Sequence, residues 1–306
     1  MQPLRAISYK ALSVTFLVVM ASLIKASAAS VPPGQMVFFR SFFAIPVILV
    51  WLVYTGHLND GLTTKDPMKH VWRGLLGTTG MALSFTALGL LPLPEVTAIG
   101  YAAPVLVVIF AAMFLGERVR IFRLSAVALG LLGVLIVLSP RISTLGGEQD
   151  LRQTLGAVVA LAAAFVSALA QVFVRSMVRT ESTTAIVFYF SVTSSVMALL
   201  TLPWGWVWPA PAVTLMLVSA GILGGIGQIL LTASYKYADV SVIAPFEYTS
   251  MLLALLIGYF VFSEIPTWTT IGGAALVILA GVLVILREHQ LGLDRRNQRA
   301  ARGPEG

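Results

Sequence analysis

Four ionisable side chains stand inside apolar runs of this 306-residue chain: Lys25, Arg40, Glu95 and Glu247. A charge at the centre of a membrane helix costs about 2.5–3.5 kcal/mol on insertion scales, so such residues point first to function. Lys25 and Arg40 can receive an anionic or polar group of a ligand. Glu247 can accept a hydrogen bond, hold a cation or take up a coupling proton. Pro245 precedes Glu247 and Tyr248 follows it. A proline within a helix removes a backbone bond, so Ala244 to Tyr248 reads as a local break facing a cavity.

Each candidate also has a plainer reading. Lys25 lies ~24 Å along the first run and can snorkel to the near interface. Arg40 lies deeper, ~9 Å below the start of the second run, where snorkelling is harder. Glu95 could neutralise either cation, and Lys236 could neutralise Glu247. Tyr101 and Tyr248 occupy matched positions, sixteen residues before Glu117 and Glu264. Their rings could clamp a planar ligand or simply pack, with each hydroxyl on a backbone carbonyl. Gln171 and Gln228 are neutral candidates; the plain alternative is an interhelical hydrogen bond of ~0.6 kcal/mol.

The elements that must position these residues are membrane helices. The chain is 58% hydrophobic and 11% charged, against about 25% charged for a soluble domain. Ten apolar runs are long enough for a bilayer, which needs about 20 residues: 9–30, 34–54, 70–90, 95–115, 121–139, 154–174, 184–203, 212–234, 240–262 and 267–286. Runs of this length satisfy their backbone in lipid as helices. The expected class is an all-α polytopic membrane protein. The first run also has the look of a signal peptide, with Arg5 and Lys10 before it and Ala26-Ser27-Ala28 near its end; its removal would leave nine spans. The net charge of +7 is spread over short loops and a tail, so no basic face for nucleic acid exists.

The chain repeats itself. Gly74-Leu75-Leu76-Gly77 returns as Gly221-Ile222-Leu223-Gly224, and Leu131 to Leu138 returns as Leu279 to Leu286. Residues 1–142 and 143–288 are expected to be two five-helix repeats, followed by a basic cytoplasmic tail, 289–306. An odd number of spans per repeat inverts the second relative to the first, the construction of secondary transporters. With the N-terminus inside, sixteen of the twenty Lys and Arg residues fall in inner segments and two, Arg141 and Arg152, in outer ones. That bias sets both termini in the cytoplasm. Matched glycines on the third and eighth spans, Gly74, Gly77 and Gly80 against Gly221, Gly224, Gly225 and Gly227, let helices approach closely. Pro104 can kink the fourth span.

These features resemble the drug/metabolite transporter superfamily in its ten-span EamA type, over about residues 9–288. The resemblance is carried by Phe38-Phe39-Arg40-Ser41, Ala102-Ala103-Pro104, Phe114-Leu115-Gly116-Glu117-Arg118, Val242 to Tyr248 and Phe262-Ser263-Glu264. Ser263 departs from the glycine at the matching Gly116. The resemblance implies a central cavity between the repeats, alternating access, and peripheral fifth and tenth helices through which two copies could pair. It does not imply a substrate: for a carrier of a small organic metabolite in a bacterial-type inner membrane, vitamin uptake of a riboflavin-like kind and export of an amino acid or other metabolite are both open. A channel or a non-transporting interaction protein is the alternative, although a channel would want a continuous polar stripe. No phosphate loop, HExxH motif or cysteine occurs, so no cofactor, metal or catalytic residue is expected.

Overall fold

The computed structural model describes residues 3–56, 61–115, 128–137, 139, 148–177, 180–237, 246, 249–276, 278–279 and 282–283. Regular structure among them is helical. In chain order the helices are α1 (Pro3–Ser27), α2 (Pro33–Phe42), α3 (Ala44–Tyr54), α4 (Pro67–Leu90), α5 (Leu93–Gly100) and α6 (Ala102–Leu115). There follow α7 (Ala128–Val137), α8 (Glu148–Met177), α9 (Thr183–Leu199), α10 (Pro211–Tyr237), α11 (Thr249–Phe262) and α12 (268–276). Each of the ten apolar runs holds helix, and four helical stretches are by length and composition sufficient to cross a bilayer unaided.

Local chemistry sets the ends. Pro33, Pro67 and Pro94 sit in first turns, where a missing N–H is no loss. The Asp66 side chain caps α4 by accepting from the Lys69 N–H, and the Ser182 hydroxyl caps α9 by accepting from Ala185. Two spans expected to be continuous are broken. The second breaks at Phe43, between α2 and α3, because Pro46 has no N–H for the Phe42 carbonyl. The fourth breaks at Tyr101, between α5 and α6, because Pro104 leaves the Gly100 carbonyl without its helical partner.

The two halves interlock. The first span packs along the eighth (α1 on α10), and the third along the sixth (α4 on α8). Exchanging the halves converts one pairing into the other. The second span meets the seventh (α2 on α9), the fourth meets the ninth (α5 on α11), and the fifth meets the tenth, since a Cβ at Gly273 would strike the Gly133 carbonyl. Each of these pairings maps onto itself, so all three lie on the axis that relates the halves.

Glycine makes the close approaches. A Cβ at Gly221 would sit 2.5 Å from Phe43 Cβ and 2.7 Å from the Phe39 carbonyl oxygen; at Gly225 it would meet Ala44, and at Gly227 the Leu17 side chain. Lipid is as apolar as leucine, so helices associate through such packing rather than through burial of oily surface. Exposed apolar side chains such as Val50, Val158, Leu252 and Phe260 coat the outside. Gly221→Val should therefore cost about 1–3 kcal/mol through overpacking against backbone, read as a lower unfolding midpoint in detergent than for a lipid-facing Ile222→Val control.

Candidate functional site

A cavity of about 210 Å³ lies between α4, α5, α6 and α8. Its polar lining is Ser84, Tyr101, Ser167 and Gln171, on a wall of small residues such as Ala160 and Ala164. Residues 160, 163, 164, 167 and 171 recur at helical spacing, so one face of α8 forms the floor. Tyr101 stands where the fourth span breaks, and its hydroxyl is 2.7 Å from the Ser250 hydroxyl on α11. The cavity is thus walled by both halves, and one hydrogen bond ties its tyrosine across them.

A second polar layer lies near mid-depth. Arg40 on α2 and Arg73 on α4 are buried, 4% and 8% exposed. Their guanidinium carbons stand 5.6 and 4.2 Å from the centroid of the Phe190 ring on α9. Gly77, beside the Arg73 guanidinium and the Phe190 ring, is ten residues past the start of α4, hence ~15 Å along the axis of a core about 30 Å thick. Nε and Nη1 of both arginines have no hydrogen-bond partner. Leaving a buried donor unmade costs about 1–3 kcal/mol, and a cation over a ring returns only about 0.5–2 kcal/mol.

Each end of the bundle is closed by a clamp between the halves. At one end Lys25 Nζ pairs with Glu264 Oε1 at 2.8 Å and donates to the Leu91 carbonyl at 2.7 Å. The Leu93 N–H donates to Glu264 Oε2 at 2.9 Å. Ser263, with φ 54°, turns the chain sharply so that the Glu264 N–H can close on the Gly258 carbonyl at 2.8 Å. At the other end the N–H groups of Lys65 and Asp66 donate to Glu181 Oε1 at 2.9 and 3.2 Å. Ser182 donates to the Gly61 carbonyl, Tyr189 to the Leu62 carbonyl, and His70 Nε2 stands 3.5 Å from Glu181 Oε2. Burial works to raise the Glu181 pKa, but hydrogen bonds from Lys65, Asp66 and Thr64, with the His70 imidazole close by, hold it below the usual carboxylate range.

The structure brings Tyr101 and Gln171 to one cavity and leaves the other described candidates elsewhere. Lys25 is held in the clamp with Glu264, not Glu95. Arg40 turns to Phe190. Gln228 is half-buried on α10, away from the cavity lining. Glu247 and Tyr248 lie outside the described residues, as do Glu117, Arg118 and the tail. Reading the sequence overlooked Arg73, one of the inner-segment charges, and His70; both are buried on α4. The signal for Arg73 was its place in an apolar run four residues before Gly77. Phe190 had no signal of its own.

Two interlocked helical halves thus surround a cavity with Ser84, Tyr101, Ser167 and Gln171 in its wall. The model of the EamA-like transporter family matches residues 4–139 and again 154–287. This chain belongs to that family, and it is a membrane-spanning transporter of the drug/metabolite type rather than an enzyme. Among curated relatives, the S-adenosylmethionine uptake transporter of Rickettsia bellii is 27% identical over 254 residues, 83% of this chain and 84% of that protein. The pseudopaline exporter of Pseudomonas aeruginosa is 28% identical over 267 residues, 86% and 89% of the two chains. The riboflavin transporter of Rhizobium johnstonii is 26% identical over 258 residues, 84% and 82%. A solved crystal structure superposes with a TM-score of 0.68 at 23% identity, covering 94% of this chain and 98% of the other, and shares the fold. Relatives with three different small-molecule cargoes make this a small-metabolite transporter.

The Glu181 clamp carries a pH signature. A carboxylate whose folded pKa is lowered stabilises the fold above its unfolded value, ~4.3, and that stabilisation is lost as pH falls through the folded value. Wild type should exceed Glu181→Gln in stability at pH 7 by about 1–3 kcal/mol, as for hydrogen bonds to a charged group. The difference should vanish on titration well below pH 4, followed by chemical denaturation in detergent.

Proposed function

We propose that this chain is a secondary carrier that moves a small organic metabolite across a bacterial inner membrane by alternating access. The observation that carries the reading is the cavity walled by both family-matched stretches, with Tyr101 bonded across them to Ser250. A carrier must open that cavity to one side at a time, and the two clamps supply the means. Lys25 with Glu264 is the outer clamp and Glu181 with residues 61–66 the inner one, given the basic inner loops and cytoplasmic termini.

Substrate identity divides between two classes: a vitamin of the riboflavin kind, as in the riboflavin transporter, and an amino acid or related metabolite, with S-adenosylmethionine uptake and pseudopaline export among the relatives. Tyr101 with Tyr248 suits a planar ring system, and Gln171 offers a hydrogen bond at the cavity edge. Glu247 is the coupling residue in this reading, taking up a proton or a cationic substrate group as the ninth span moves. Gln228 and Lys25 then serve helix packing and closure.

Purified chain in proteoliposomes should move at least one of riboflavin, S-adenosylmethionine or an amino acid, saturably and faster than empty vesicles. Glu247→Gln should slow that flux at least about tenfold, the scale of a lost proton-transfer group, and Gln171→Ala should raise KM more than it lowers kcat. Growth of auxotrophs rescued by one of these solutes would fix substrate and direction together. Flux of none of them above background, in chain shown to be folded, contradicts the proposal.

A further inference from the structure

Among the buried charges that the cavity and the two clamps do not use are Arg40 and Arg73. Both lean on Phe190, so the two cations lie within about 10 Å of each other, inside cation–π range of one ring. Neither has an acceptor for Nε or Nη1, and no carboxylate among the described residues pairs with either. Like charges, buried together with idle donors, are a costly way to pack a bilayer centre. Apolar residues of similar volume would fill the space better. The arrangement makes sense when a negative group completes it.

The repeat makes room for the two arginines. Gly77 and Gly224 are matched positions of the two halves. A Cβ at Gly77 would collide with the Arg73 guanidinium and the Phe190 ring, and a Cβ at Gly224 would stand 3.1 Å from Arg40 Nε. Each matched glycine therefore admits one arginine. The pair also straddles the contact of α2 with α9, one of the pairings on the axis relating the halves, where a carrier binds its cargo. Guanidinium is a planar fork of donors that fits oxygen anions bidentately and stays charged when buried.

We propose that Arg40 and Arg73, backed by Phe190, receive an oxyanion of the transported metabolite, a carboxylate or a phosphate group. The inference rests on the carrier reading above. It selects, among the cargoes open to that reading, those that bear such a group, S-adenosylmethionine and free amino acids over riboflavin.

The test is thermal unfolding of the purified full chain with sodium acetate, sodium phosphate or sodium chloride at matched ionic strength, for wild type, Arg40→Gln and Arg73→Gln. Acetate or phosphate should raise the wild-type Tm saturably by about 5 °C, the order expected at ligand well above Kd, and chloride should not. The anion that acts identifies the group. Both variants should lose the shift, while their ligand-free Tm equals or exceeds wild type because an unpaired buried charge is gone. The inference is overturned if neither oxyanion exceeds chloride, if both variants keep the shift, or if both fall in ligand-free Tm, which would make the guanidiniums packing elements. Those results leave the carrier reading standing, because flux in proteoliposomes judges it separately. A wild type that shows the oxyanion shift but moves no carboxylate- or phosphate-bearing solute overturns the assignment to a transported metabolite.

Discussion

Backbone-close contact between helices of opposite halves is the constraint on which this structure rests. In lipid no hydrophobic force drives helices together, so contact area and shape must do it. Gly221, Gly225 and Gly227 bring α10 onto α2, α3 and α1, and Gly80 brings α4 within reach of Ser167 on α8. The duplicated sequence places equivalent glycines on the third and eighth spans, so the same close approach is made twice, once in each sense. What results is an exchange: each half packs its third helix against the other half's first.

That exchange puts the cavity tyrosine and both clamps at boundaries between halves. Tyr101 meets Ser250, Lys25 meets Glu264, Glu181 meets the 61–66 loop, and Gln35 exchanges hydrogen bonds with Val207 at 2.8 and 3.1 Å. Hydrogen bonds and ion pairs of this kind are weaker individually than the packing they decorate. They suit contacts that must be made and broken, while the glycine seams hold the frame. The arginines on Phe190 are the exception, since their donors remain open, and their cost is borne by the surrounding packing, as at many binding sites.

Local pattern carried much of this. Apolar run length located the spans, and glycine spacing on the third and eighth spans located the close contacts. Pro104 signalled an interruption of the fourth span, found at Tyr101, whereas Pro46 produced a break between α2 and α3 that apolarity alone concealed. Tyr101 was picked out by its matched place in the repeat and Gln171 as a neutral polar residue within a span, and both line the cavity. Partnerships were beyond reach because they join residues far apart in sequence: Lys25 finds Glu264, and Glu181 finds Lys65 and Asp66. Arg73 was hidden by its neighbours, since Lys65 and Lys69 precede it and a third cation near a span's start looks like one more interfacial charge. Only the bundle reveals that its side chain points inward to the level of Gly77.

Alternation of the two clamps is the core of this reading, and the absence of cysteine makes it directly measurable. Spin labels on Ala29→Cys with Ile265→Cys report the Lys25 end, and on Thr63→Cys with Thr180→Cys the Glu181 end. Distances would be measured by pulsed electron–electron resonance in liposomes, with and without a transported solute. The prediction is reciprocal: a population with one end several ångströms wider has the other end closed, and solute shifts the balance between the two. Both ends widening together, or neither responding to a solute that is demonstrably moved, would contradict it.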